Sequence, residues 1–107
     1  MITKDNLKAL LLSLSFEENG NQYSKQFPNQ GAHLKVDFDK NLLVYPEDQG
    51  LKIYERQTCN FSANENFVVF ECVHLLLDKG YKPELMGILK NFILLPLWSK
   101  ENETQTF

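Results

Sequence analysis

The sequence predicts an α+β fold: an N-terminal helix with a three-stranded antiparallel meander, followed by a long buried helix. Three observations carry this. Leu7, Leu10, Leu11 and Leu14 recur at the spacing of one helical face. His33 to Phe38 alternates, with Leu34, Val36 and Phe38 on one side and Lys35 and Asp37 on the other, as a strand does when one face covers a core. From Ser62 to Gly80 runs a segment that is apolar on nearly every side.

The 107 residues allow one domain with a single core. It divides into helix plus meander over 1–46, a connector over 47–61, the long helix over 62–80, and a short helix or strand with a frayed tail over 81–107. Hydrophobic residues at 43% and charged residues at 23% exclude disorder of the whole chain.

The first helix is expected from Lys4 to Leu14, with Thr3 as N-cap and Ile2 and Leu7 at the spacing of a hydrophobic staple. Glu17 to Gly20 ends it, with Asn19-Gly20 as turn chemistry. Strands follow over Asn21 to Phe27, His33 to Phe38 and Leu42 to Tyr45, separated by a loop at Pro28 to Gly31 and a turn at Asp39 to Asn41. Pro46 to Gly50 is a turn, and Leu51 and Ile53 suggest one more short strand. Ser62-Ala63-Asn64-Glu65 reads as a capping box with Ser62 at the N-cap, and Lys79-Gly80 closes the helix it opens. Pro83 fits the first position of another short helix. Asn91 to Trp98 reads as a strand with Pro96 at its edge, and Lys100 to Phe107 as a polar end.

The helix at 62–80 leaves only a thin polar stripe of Glu71, His74 and Asp78. A surface helix of a small domain shows one apolar face, and a chain this short has little material to surround a helix that is apolar all round. The pattern predicts a homodimer through 62–80 or a missing neighbour.

Charge and motifs exclude several functions. A net charge of -3, scattered lysines and Arg56 as the one arginine argue against a dedicated nucleic-acid binder. There is no phosphate loop, no H-E-x-x-H, no C-x-x-C and no G-x-S-x-G, so no catalytic residue and no metal ligand is assigned. Cys59 and Cys72 read as small buried hydrophobes in a reducing cytoplasm. The N-terminal apolar run lacks a basic leader and a cleavage site, and no run reaches the roughly 18 apolar residues of a membrane span. His33 reads as a solvated strand residue, and Glu71, His74 and Asp78 as the wet side of their helix. Arg56, Gln57, Asn60 and Asn64 are rich in donors and form the candidate polar or DNA-backbone contacts. The blander reading is a hydrogen-bonded loop leading into a helix.

The run GLKIYERQTCNFSANENFVVFECVHLLLDKGYKPE, Gly50 to Glu84, together with MITKDNLKALL, LKVDF and VYPEDQGLK, resembles the N-terminal region of bacterial restriction-modification enzymes. The likeness is to type I restriction endonuclease R-subunit-like proteins and fused adenine-methylase relatives, over about Met1 to Glu84. It implies the first helix of a PD-(D/E)XK nuclease fold. In that family an A-D-I strand and an E-C-K strand follow, binding Mg²⁺ and activating water. Glu65 stands where an acidic helix residue supports that site, with Glu71 the second acidic candidate. After Glu84 this chain reads LMGILKNFILLPLWSKENETQTF, with neither A-D-I nor E-x-K. The remainder of the nuclease fold is therefore expected to be incomplete, and residues from Leu85 to belong to a truncated or frameshifted reading frame. The function implied is an N-terminal fragment of a restriction-modification endonuclease, inert alone and cofactor-free, with Mg²⁺, sister subunits and DNA belonging to the complete enzymes. The alternative is a free-standing protein-interaction or self-association module. A weak DNA-contacting domain is the third and least supported reading.

Overall fold

The computed structural model describes residues 2–88 and 93–94. Helix α1 (Lys4–Ser13) begins after an extended Thr3, whose N–H donates to Asn6 Oδ1 at 2.8 Å. Leu7 and Leu11 are fully buried and Leu10 and Leu14 pack partly against the core, as the helical period requires. Ser15 takes a left-handed φ of 71°, and the Phe16 N–H returns to the Leu11 carbonyl at 3.0 Å, which brings the Phe16 ring inward.

The meander has four strands rather than three: β1 (Glu17–Asn19), β2 (Gln22–Phe27), β3 (Ala32–Asp37) and β4 (Leu42–Val44), antiparallel in sequence order. The additional strand lies on residues expected only to end α1. Its three residues are all exposed, so no apolar alternation marks it. The Asn19-Gly20 turn does form, closing the Asn19–Gln22 pair with Gly20 at φ 64°. Tyr23, Leu34, Val36 and Leu43 carry the buried face of the sheet.

Asp37 departs from the predicted pattern, being buried rather than wet. Its Oδ1 accepts the N–H groups of Asp39 at 2.9 Å and Lys40 at 3.1 Å, and its Oδ2 accepts Gln22 Nε2 at 3.3 Å. A carboxylate that saturates its acceptors on a turn can be buried without an orphaned charge. His33 is half-buried rather than solvated.

The connector holds 3-10 turns at Glu47–Gln49 and Arg56–Cys59 and the short strand β5 (Lys52–Ile53). Strand β5 pairs in parallel with β6 (Gly87–Ile88), which pairs antiparallel with β7 (Ile93–Leu94), making a second, three-stranded sheet. A Cβ at Gly87 would come within 2.5 Å of the exposed Tyr54 ring, which would have to swing aside. Pro83 opens a 3-10 turn at Pro83–Leu85, as its fixed φ favours. Most of the strand expected over Asn91 to Trp98, and the polar end after it, lie outside the described residues.

Helix α2 (Asn64–Asp78) starts later than its capping box predicts, with Ala63 and not Ser62 at the N-cap. Asn60 Oδ1 accepts the Ser62 N–H at 2.9 Å, holding Ser62 in the preceding turn. Asn66 Nδ2 donates to the Gln57 and Asn60 carbonyls at 2.9 and 3.0 Å, tying the connector to the first turn of α2.

The expectation that α2 lacks neighbours is corrected. Phe70 meets Phe16 at 6.1 Å and Tyr45 at 5.5 Å between ring centroids, and Phe67 meets Phe61 at 5.1 Å. Phe67, Val69, Phe70, Val73, Leu76 and Leu77 belong to one buried cluster that also contains Leu7 and Leu11 of α1, the inner meander residues, and Leu51, Met86 and Ile88. What remains outside is a row of Val68, Cys72 and Leu75. Among the described residues, no helix is long and apolar enough to cross a membrane.

Candidate functional site

Part of the donor-rich connector is turned onto the protein itself. Arg56 gives both terminal guanidinium nitrogens to Glu47, at 2.9 and 2.8 Å, a planar fork on a carboxylate. That bond holds the Glu47 carboxyl below the usual range and raises the Arg56 guanidinium. The Gln57 and Asn60 carbonyls accept from Asn66, and Asn60 Oδ1 from the Ser62 N–H. Asn64 is exposed in the first turn of α2. These bonds use the Arg56 guanidinium, the Gln57 carbonyl, and the Asn60 carbonyl and Oδ1, while the Gln57 side chain stays exposed.

The acidic residues of α2 do not converge. Glu65 is exposed and Glu71 half-buried, and six positions at about 100° per residue place them on different sides of the helix. The predicted stripe of Glu71, His74 and Asp78 does not form, because His74 turns inward and is 3% exposed. The helical period contained the signal: His74 follows Phe70 by four positions and Phe67 by seven, so it shares their face. Among the described residues, no three His, Cys, Asp or Glu side chains gather as a metal-ligand set.

His74 forms the most unusual polar contact in the core. Its Nε2 lies 2.8 Å from the Lys25 ammonium, which also donates to the Leu14 carbonyl at 2.8 Å. The ring packs edge-on against Phe27 at 5.5 Å and against Phe16 at 5.9 Å. An ammonium only donates, so Nε2 must accept and the neutral ring carries its proton on Nδ1. That Nδ1 is buried with no hydrogen-bond partner among the described residues. Burial, and then the Lys25 charge, lower the His74 pKa against an opposing pull from Asp78. The pair joins the end of α1, strand β2 and helix α2. The pair packs against the rings of Phe16 and Phe27.

A second feature is an open groove of about 380 Å³ lined by Lys4, Asp5, Lys8, Asn21 and Phe38. Lys8 Nζ sits 5.0 Å from the Phe38 ring centroid and Lys4 Nζ 5.8 Å from that of Phe61. Asp5 brings the opposite charge beside the two lysines in this groove. Sequence reading missed it because Phe38 and Asn21 reach it only through the folding of the meander. The two cysteines also differ. Cys59 is buried, and burial pushes its thiol up, whereas Cys72 is exposed and not the buried hydrophobe expected. Comparison with known proteins adds no relative to this geometry: no family model, curated protein or solved structure matches the chain.

Proposed function

We propose that the chain is a non-catalytic structural unit of a bacterial restriction-modification DNA endonuclease, acting in the cytoplasm with other subunits of such an enzyme and its DNA. One observation carries the reading. The run that bears the resemblance, Gly50 to Glu84, folds as β5, the turn at Arg56–Cys59, α2 and the turn at Pro83–Leu85. A long helix at that place fits the first helix that the resemblance implies.

The chemistry does not follow. The described strand residues Gly87, Ile88, Ile93 and Leu94 include no carboxylate or amine, and Glu65 and Glu71 diverge. No carboxylate set for Mg²⁺ is gathered among these described residues. In this reading the unit positions other parts of the enzyme rather than cutting DNA. Incubation of the purified chain with plasmid DNA and Mg²⁺ is expected to leave the plasmid supercoiled. Nicking that is abolished by Glu65→Gln would overturn the non-catalytic part. The family reading has its own test in the DNA beyond codon 84, read in all three frames: coding for A-D-I and E-x-K strands is expected, and its absence overturns the assignment.

A further inference from the structure

We propose that the outer face of α2 is self-complementary and receives the same face of a second copy of this chain, antiparallel and centred on Cys72. Val68 is 38% exposed and Leu75 48%, and Cys72 between them is exposed as well. Val68 and Leu75 are seven positions apart, about two helical turns, so they form one row. Glu65 and Lys79 are exposed on one flank of that row, about four turns apart.

The midpoints of these two pairs fall together, at Glu71 and Cys72. A two-fold axis there brings Val68 onto Leu75 of the second copy, and Leu75 onto its Val68. Because a two-fold axis perpendicular to antiparallel helices keeps each flank against its like, the same axis sets Glu65 opposite Lys79 of the second copy, twice. Asp78 comes beside the first turn of the other helix, where the N–H groups carry partial positive charge. Glu71 meets its own counterpart on the far flank, and this repulsion together with the small apolar row makes the association weak. A single helix face lies below the ~1,200 Å² of total buried surface that marks standard interfaces. The inference is independent of the nuclease-related reading, since the face is complete within the described residues.

Sedimentation equilibrium across a wide concentration range is expected to show reversible monomer and dimer under reducing conditions. Leu75→Asp should leave a folded monomer, with folding checked by circular dichroism. Glu65→Lys and Lys79→Glu should each weaken the dimer at least several-fold, and the double variant should restore it. Diamide, which takes up two electrons and two protons as two thiols join, should link copies through Cys72 and fail to do so in Cys72→Ser. A chain that is monomeric at every concentration overturns the proposal. So does a dimer that survives Leu75→Asp, or one that the charge-reversed pair fails to restore.

Discussion

The two helices of this chain face the same core with different leftovers. Helix α1 buries Leu7 and Leu11 and gives solvent mostly Lys4, Asp5, Asn6, Lys8 and Ser13, with Ala9 and Leu12 as the apolar exceptions. Helix α2 buries six large apolar residues together with Asn66 and His74, and still shows Val68, Cys72 and Leu75 outside. The difference shows that two helices lining one core can leave unlike surfaces outside it, mostly polar in α1 and apolar along one row in α2.

The largest test of this contrast lies on the inner face of α2. Phe70→Ala removes a ring that touches both Phe16 and Tyr45 and should cost about 3–5 kcal/mol in denaturant unfolding. Leu75→Ala, on the outer face, should stay within about 0.5 kcal/mol at concentrations where the chain is monomeric. Equal losses at the two positions would erase the distinction between the faces.

Acid sharpens the contrast next. His74 has its folded pKa depressed, so the unfolded chain takes up the proton first. Its contribution is complete above the ordinary histidine value of about 6.5, falls as pH drops below that value, and levels off below the depressed one. Thermal unfolding followed over this range should show the decline, and His74→Gln should remove its histidine component. A stability curve identical in the two proteins would place His74 outside the core.

Two smaller effects follow. Tyr45 is buried with its hydroxyl unpartnered among the described residues, and burial holds its pKa well above the ordinary value. Tyr45→Phe should therefore raise stability by about 1 kcal/mol in the same denaturant titration. Arg56→Lys breaks an exposed fork on Glu47, and its effect on the melting midpoint should correspond to less than about 1 kcal/mol.

How much of this was legible in the sequence depends on which force placed each residue. The leucine row of α1, the alternation from His33 to Phe38, the strand at Lys52–Ile53 and the proline-led turn at Pro83 follow local rules and were readable. Strand β1 was not, because Glu17, Glu18 and Asn19 are held by hydrogen bonds to β2 and bury nothing. His74 was misplaced because polarity was allowed to outvote periodicity, although its neighbours on the helical face are both phenylalanines. The start of α2 moved where Asn60 Oδ1 takes the Ser62 N–H and Asn66 ties the connector to the first turn, hydrogen bonds the capping pattern did not show. The exposed row of Val68, Cys72 and Leu75 was hidden in an all-round apolar run, since only packing decides which residues of such a run stay outside.

The borders of the four-stranded sheet carry one more consequence. On one side stands β1, with two adjacent glutamates and three residues all in solvent; on the other, Leu42 of β4 is already bridged to Asn60 of the connector. A foreign strand seeking to add to the sheet would meet like-repelling carboxylates on the first side and an occupied ladder position on the second. Those two borders thus hinder open-ended growth of this sheet by backbone pairing.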